Sequence, residues 1–573
     1  VSSSAPERPQ TAGKPWLSAL VVFGLACLVF AGSSSVIRIP PAWATFEFCQ
    51  YAEIGRNLAV ERRFDTRLIE PMALAYVDAH GGATRTGAPG RWPVIDRFPL
   101  PAMVVASLMT VFGPTDLAAA WANGLALALL AALLHVVVWR RLGRGWAWVA
   151  SLLFVLNPAV FGYFALLGTP DPLFALLFVL VLLAWQGLVG REARPQVRDA
   201  IGFGLLAGFS YLARFNAVLF LVPMLAMVAA YRRWRMLAVS GGTALLVISP
   251  LLAYNLAHFG RPTVGIYSAW NLLDRIGIYR VEPWLYYQLP DAVAALFDHP
   301  EGLARKWAHN LFVVIPSRLW TLWELLLLWP FILVAAVASL RRQRRAAEPW
   351  LAWAVGLFGL QLVVFSALRL EFEPRVSPHH GRYFFWFAPV AIVLAVEALA
   401  WVARLGRAAR VAAVLIVLAQ VGLFAPTWWA WILDNQRPYN LGRDPVRQAV
   451  TKVVGPSGIV ASNQPQMLAW NCGLRSMSLP ADLDELERLS QNSSTPPDYL
   501  FIDLNFNAIE LDHRWSDLVR VPPGSTTVWE KELLHNYTYI LPPLRTRPLM
   551  FVFLRRKDVP AGPLEREYAE PSS

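Results

Sequence analysis

The 573-residue sequence predicts a polytopic α-helical membrane protein of about eleven spans, followed by a C-terminal extracytoplasmic α/β domain. Three observations carry that prediction. The chain is 56% hydrophobic and only 16% charged, with a mean hydropathy of +0.43, far too apolar for a soluble multidomain protein. Apolar runs of about 18 or more residues, long enough to cross a bilayer, recur along it. Its arginines gather in short clusters between those runs, at every second boundary, as cytoplasmic loops require.

Residues 1–15 form a polar tail. The first apolar run, Trp16 to Ala31, is followed by no small-x-small cleavage pattern and reads as a retained span. The span centres fall near Leu25, Leu127, Leu153, Leu180, Leu206, Leu221, Leu245, Leu328, Leu357, Val393 and Ile416. The clusters Arg140/Arg141/Arg144, Arg191/Arg194/Arg198, Arg232/Arg233/Arg235, Arg341/Arg342/Arg344/Arg345 and Arg404/Arg407/Arg410 mark one side as cytoplasmic, with the N-terminus on it. An odd number of spans then places the tail outside. The transmembrane unit covers 16–432, with outer loops 37–97, 255–318 and 369–382. The tail, 433–573, alternates short apolar β-type runs such as "GIVASN", "PDYLFIDL" and "RPLMFVFLRR" with a helical stretch, the pattern of a small α/β domain.

The net charge of +12 invites a nucleic-acid reading, but its confinement to membrane-boundary clusters and the lack of any nucleic-acid motif exclude it. The three cysteines, Cys27, Cys49 and Cys472, have no metal-ligand spacing, and a disulfide between Cys49 and Cys472 stays open. A lipid or polysaccharide transporter is a rival class. It would show corresponding broken helices in two halves, and the sequence has no internal repeat.

The inner loops are short and basic, and the carboxylates with chemically interesting neighbours all lie outside: Glu47, Glu53, Asp96, Asp171, Glu371 and Glu373. Chemistry there has no nucleotide supply, so a transferase needs an activated donor already in the membrane, such as a polyprenyl-phosphate sugar. That reaction needs a base for the acceptor hydroxyl and cations for the leaving phosphate. Glu47 reads either as the base or as an interfacial acid at a helix N-terminus. Asp171, in "LLGTPDPLFALLFVL", reads as a site acid or as a first-turn acid beside Pro172. Arg214, between two apolar runs, is a site cation or a snorkelling arginine. Arg382 with Tyr383, in "PHHGRYFFWFAP", is a phosphate grip or an aromatic-belt anchor. His379 and His380 lack a further ligand in sequence. Asp96-Arg97 is a site pair or an exposed ion pair, and His258 reads first as structural. Asp482 and Asp484 read as the acidic first turn of a helix.

Several of these segments, in order, resemble the GT-C superfamily of membrane glycosyltransferases, in the branch of protein O-mannosyltransferases and the lipid A aminoarabinose transferase. Where that family carries Asp-Glu-x-x-Tyr-Ala at the start of its first outer loop, this sequence has Glu47-Phe48-Cys49-Gln50-Tyr51-Ala52. The family's Glu-Lys-Pro-Pro stretch stands here as Asp96-Arg97-Phe98-Pro99. The segment around Asp171 resembles the family's spans three and four, "LLAGFSYLARFNAVLFLVP" puts Arg214 where a lysine often stands, and "GRYFFWFAPVAIVLA" resembles the Arg-Tyr start of a late span.

The resemblance implies an inverting, polyprenyl-phosphate-sugar-dependent hexosyl- or pentosyltransferase of a bacterial inner membrane. It implies Glu47 as base and Asp171 as its helper. Arg97, Arg214, Arg382 and Tyr383 would hold the donor phosphate, with Glu53 and Asp96 in reserve. It also implies a divalent metal near Asp96 with His258 as a contributor, and an acceptor that is an envelope lipid, glycan or protein. A non-catalytic scaffold that keeps the fold and has lost the chemistry is the remaining reading.

Overall fold

The computed structural model describes residues 14–37, 45–80, 90–190, 195–274, 276, 282–289, 291, 294, 297–342, 350–368, 382–434, 444–503, 515, 536–546 and 549–560. Glu371, Glu373, His379 and His380 lie outside the described residues, as do Arg191, Arg194, Arg344 and Arg345.

The architecture is a helical membrane bundle with a small sheet at one end. The first half holds α1 (Pro15–Val36), α2 (Thr45–Arg56), α3 (Pro71–His80), α4 (Pro99–Phe112), α5 (Asp116–Leu142), α6 (Arg144–Val155), α7 (Asp171–Val189), α8 (Val197–Ala213), α9 (Ala217–Ala230) and α10 (Trp234–Phe259). Later helices include Trp329–Arg342, Trp350–Phe365, Ala388–Ala403 and Arg407–Asp434. Ten of the eleven expected span centres fall inside these helices, and Leu328 falls in the short turn leading into Trp329–Arg342. By length and composition, six described helices are each able to cross a membrane alone, and Pro300–Glu324 with Leu326–Arg341 forms one pair bent by 114°. The remaining centres lie on shorter helices, so eleven full-length spans overstates the regularity of the bundle. The helix α4 occupies the apolar stretch after Asp96-Arg97 and is separate from α5, the span centred on Leu127. It lies along α2, where Gly55 leaves room for Val105.

Local chemistry explains the helix ends. In α5, the Thr115 hydroxyl accepts from the Ala118 N–H at 3.2 Å, Asp116 sits in the first turn, Arg140 and Arg141 in the last, and Gly143 ends the helix at φ +91°. Close packing is set by small residues. On α8, Gly204 and Gly208 are four apart, and a Cβ on either would lie within 2.8 Å of α10 atoms at Ser240 and Val247. Buried His135 of α5 bridges Ser18 of α1 and Ser151 of α6 at 3.0 and 2.9 Å.

The sheet strands are β1 (Asp65–Thr66), β2 (Leu68–Ile69), β3 (Trp92–Pro93), β4 (Ile459–Ser462), β5 (Arg475–Ser478), β6 (Tyr499–Asp503), β7 (Tyr537–Thr546) and β8 (Leu549–Arg556). Six of them form one sheet in the order β2-β5-β4-β6-β8-β7. The first four in that order run parallel, while β8 and β7 are antiparallel additions. The edge strand β2 comes from the first loop, not from the tail. The sheet is therefore built from two distant parts of the chain, and that edge is not left open.

The helices are polarised. At one end of α5, Asp116 accepts a 2.6 Å hydrogen bond from the Trp470 indole, next to the sheet, and at the other end stand Arg140 and Arg141. α7, α8 and the Ala388–Ala403 helix likewise carry Asp171, Arg214 and Arg382 at or beside one terminus, with basic residues flanking the other. Cys49 and Cys472 are free thiols, so the open disulfide does not form. Cys49 instead meets the Met467 sulfur at 3.1 Å.

Candidate active site

The site is built around the first turn of α2. Phe48, Cys49 and Ala52 pack into the bundle core, and Tyr51 and Ile54 pack against Val94 and Ala102. This leaves Glu47 near the junction of bundle and sheet. Its neighbour Phe48 sits on Gly168, where φ is +68° and an added Cβ would lie 2.6 Å from the Phe48 Cα. Only glycine satisfies both the left-handed backbone and the close approach. That contact brings the loop before α7 against α2 and, with it, Asp171 toward Glu47.

From the opposite side comes the turn Arg382–Phe387. Its aromatic residues are locked into the core, with Phe385 stacked on Phe164 at 3.9 Å and Phe387 on Phe358 at 4.1 Å. Gln361 fixes the turn twice. It donates to the Tyr383 carbonyl at 2.7 Å and accepts from the Trp386 indole at 2.7 Å. Arg382 and Tyr383 are thereby held in place.

These elements bring five of the expected residues together. Arg382 pairs with Glu47, and its Nε lies 3.6 Å from Asp171 Oδ2. Arg214, one residue past α8, pairs with Asp171. The Tyr383 ring lies under both guanidinium groups, 5.0 Å from Arg214 and 5.5 Å from Arg382. The result is a continuous run of alternating charge, Glu47–Arg382–Asp171–Arg214. Asp171 is 2% exposed and Arg214 6%, so neither charge is sustained by water.

Burial alone would raise the Glu47 carboxyl. Arg382, then Arg97, then Arg214 outweigh it and hold the group below the ordinary carboxylate range. Arg97 is thus within electrostatic reach of Glu47 while donating to Glu70 at 3.2 Å. Burial pushes the Tyr51 phenol, one turn from Glu47, up to about 12. Several buried polar atoms at the site have no hydrogen-bond partner among the described residues: Glu47 Oε2, Asp171 Oδ2, Thr169 Oγ1 and both amide atoms of Asn216. Each such group costs about 1–3 kcal/mol unless something else satisfies it.

Three expected residues stand elsewhere. Glu53, the reserve acid, is fully buried. It accepts from Asn57 at 2.6 Å, Thr66 at 2.8 Å and the Arg67 N–H at 3.1 Å, so it fastens α2 to the strands β1 and β2. Burial raises its pKa. Asp96 takes a left-handed backbone at φ +48°, immediately before Arg97. His258 packs on Tyr254, whose hydroxyl donates to the Phe64 carbonyl at 3.1 Å. No group of three His, Cys, Asp or Glu side chains among the described residues is placed to hold a metal ion. Asp96 and His258 belong to no such group among the described residues.

Sequence reasoning missed Gly168, Gln361 and Glu70. The Gly-Thr-Pro-Asp run was a usable signal for the first. The other two depend on partners far away in sequence and left none.

The fold is that of the GT-C membrane glycosyltransferases. A family model described as dolichyl-phosphate-mannose-protein mannosyltransferase matches residues 96–254, the stretch carrying Asp96, Arg97, Asp171 and Arg214. The ArnT structure from Cupriavidus metallidurans bound to undecaprenyl phosphate aligns with a TM-score of 0.55 at 14% identity, over 95% of this chain and 99% of that one. The apo form of the same protein aligns at 0.50 and 14%, over 94% and 98%. The Archaeoglobus fulgidus oligosaccharyltransferase in complex with Zn and sulfate aligns at 0.51 and 12%, over 90% and 71%. No curated protein sequence matches the chain.

Proposed function

We propose that this protein is an inverting glycosyltransferase that moves a hexosyl or pentosyl group from a polyprenyl-phosphate donor to a hydroxyl of an envelope lipid, glycan or protein. The observation that carries the reading is the convergence of Glu47, Asp171, Arg214, Arg382 and Tyr383, with Arg97 in electrostatic reach. Arg382, Arg214 and Arg97 each hold a carboxylate partner here, Glu47, Asp171 and Glu70, and all three guanidinium groups are available to turn toward a phosphate that gains charge as it leaves. A relative of the same fold binds undecaprenyl phosphate.

In this mechanism the donor phosphate draws Arg382, Arg214 and Arg97 to its oxygens. Glu47, released from Arg382, accepts a hydrogen bond from the acceptor hydroxyl and takes its proton. The acceptor oxygen forms a bond to the anomeric carbon on one face while the bond to phosphate breaks on the other, and the electron pair leaves with the phosphate oxygen. One displacement inverts the centre. Asp171 keeps Arg214 and Arg382 charged and aimed. The polarity of the helices supports an orientation with this site and the 433–573 region on the extracytoplasmic side of a bacterial inner membrane, and the arginine clusters inside.

The test is transfer of labelled sugar from membrane-borne polyprenyl-phosphate sugars to endogenous acceptors, comparing wild type with Glu47→Gln at matched protein levels. Loss of transfer with undecaprenyl phosphate binding retained supports the reading. Undiminished transfer removes Glu47 from the chemistry.

A further inference from the structure

Glu70 takes no part in the steps above, yet it holds one of their cations. Its Oε1 accepts from Arg97 Nη2 at 3.2 Å, across 27 positions of sequence. Glu70 is buried and the Arg97 side chain is 18% exposed, so water screens the pair weakly. A guanidinium carries five N–H donors, and this contact uses Nη2, so the pair can persist while another edge turns to a phosphate.

The backbone of Glu70 is fixed from both sides. Before it, β2 lies in parallel register with β5, Leu68 opposite Ser476 and Ile69 opposite Met477, and the Ser476 N–H donates to the Arg67 carbonyl at 2.8 Å. After it, α3 begins at Pro71, and the Glu70 carbonyl accepts from the Leu74 N–H at 2.9 Å. Ile69, Met72 and Ala73 are buried with Ala461 and Met477 of the tail in one apolar cluster. Arg97 is held as firmly, between Asp96 with its left-handed backbone and the start of α4 at Pro99. An acid at the N-terminus of α3 also suits the helix dipole. The dipole explains a negative charge at this position but not its contact with a cation that acts on Glu47.

We infer that Glu70 is a positioning residue for the transfer reaction, set in place by the strand that the first loop and the tail build together, and that it keeps Arg97 aimed at the donor phosphate and off Glu47. The inference rests on the polyprenyl-phosphate reading. Glu70 does for Arg97 what Asp171 does for Arg214. Released from Glu70, the guanidinium still lies within electrostatic reach of Glu47, whose Oε2 has no hydrogen-bond partner among the described residues. Pairing there would cover the base and take Arg97 from the phosphate. Holding the side chain beforehand also spares donor binding the rotamer entropy of a long arginine. The tail thereby reaches the chemistry through β2 and Glu70, without itself touching the donor.

The sign of one substitution separates positioning from simple charge. Removing a negative charge beside an anion site should tighten anion binding, whereas loss of aim should weaken it. The experiment measures binding of undecaprenyl phosphate to the full-length protein in detergent, for wild type, Glu70→Gln, Arg97→Gln and the double variant, with thermal midpoints to check folding. Glu70→Gln is expected to bind about tenfold or more weakly than wild type, the loss of one charge-assisted contact. The double variant should bind within about twofold of Arg97→Gln alone, because Glu70 acts through Arg97. Glu70→Asp keeps the charge and should lose less than Glu70→Gln; it also stands in should Glu70→Gln fail to fold, and is then expected to bind more weakly than wild type. The inference is overturned if folded Glu70→Gln, or Glu70→Asp in its place, binds as tightly as wild type or more tightly. It is equally overturned if the losses of Glu70→Gln and Arg97→Gln multiply in the double variant, the mark of a role independent of Arg97. Failure of wild type to bind undecaprenyl phosphate at all would instead overturn the polyprenyl-phosphate reading, and this inference with it.

Discussion

Glu47 and Glu53 lie on the same helix, fewer than two turns apart, and the protein treats them in opposite ways. Glu47 faces charge from Arg382, Arg97 and Arg214, gathered from a late span, the first loop and a mid-chain turn. Glu53 faces the Asn57 carboxamide, the Thr66 hydroxyl and the Arg67 N–H, all within fourteen residues of it. Local partners make a carboxylate into a fastening. Distant partners converging from three elements make it a candidate for chemistry, because only the tertiary fold brings those charges together and a substrate can separate them again. Glu47 Oε2 has no hydrogen-bond partner among the described residues, whereas both oxygens of Glu53 accept hydrogen bonds.

The sharpest way to break this comparison is to neutralise each acid in turn. Glu47→Gln is expected to lower sugar transfer by about 10²–10⁴-fold, the range for loss of a general base. Glu53→Gln should leave the rate per folded molecule within a few-fold of wild type. Equal losses in the two variants, measured as initial rates of label transfer, would erase the distinction. Next in size is the buried pair behind Glu47. Asp171→Asn leaves Arg214 without its partner at 6% exposure, and breaking such a pair costs about 3–5 kcal/mol. The variant should show a markedly lower thermal midpoint in detergent, and the double variant Asp171→Asn/Arg214→Gln should recover part of it.

The supports of α2 are expected to matter less. Gly168→Ala puts a methyl 2.6 Å from the Phe48 Cα at a left-handed φ of +68°, so α2 must shift. The expected stability loss is about 1–3 kcal/mol, with a fall in kcat larger than any change in donor affinity. At the other end of the helix, Arg56 donates to the Trp470 and Ala469 carbonyls at 2.8 and 3.2 Å and lies 4.9 Å over the Trp470 ring. Arg56→Ala should cost about 1–3 kcal/mol and increase hydrogen exchange in α2 while α5 stays protected. Unchanged exchange in α2 would mean that the sheet does not hold this helix in place.

The sequence made the bundle legible because bilayer length and arginine placement are one-dimensional signals. The run Trp16–Ala31 and the cluster Arg140/Arg141/Arg144 could be read without knowing any contact. Arg214 was legible as a charge costly at its depth and Asp171 only as an acid at the start of a span, with a site role and a first-turn role both open; the structure pairs them. That Glu47 meets Arg382, 335 positions away, was readable only through the order of motifs. What stayed hidden depends on pairing across space. β2 is two residues long, too short for any strand pattern, and exists because Leu68 and Ile69 register against Ser476 and Met477. Helix α4 looked like the resumption of a span because its apolar composition is the same whether it crosses a bilayer or lies along α2. Glu53 looked like a second candidate base because sequence shows an acid on an amphipathic helix and not the three donors around it.

The smallest expected effect is the most discriminating, because it differs in sign between the two acids. Burial raises the folded-state pKa of Glu53 despite its hydrogen bonds, so the fold binds that proton more tightly than the unfolded chain does. The associated stability is fully present below the unfolded value and fades as pH rises through the folded one. Glu47 runs the other way. Its folded pKa is depressed by the arginines, so its stabilisation is present above the unfolded value and is lost as pH falls through the folded one. Relative to Glu53→Gln, wild type should therefore lose thermal stability as pH rises from the carboxylate range toward neutrality. Relative to Glu47→Gln, it should gain over the same interval. The measurement is the thermal midpoint of the three proteins in detergent across that range, at one salt concentration. Slopes of the same sign would mean that the two glutamates share an environment, and that the arginines do not act on Glu47 as a group.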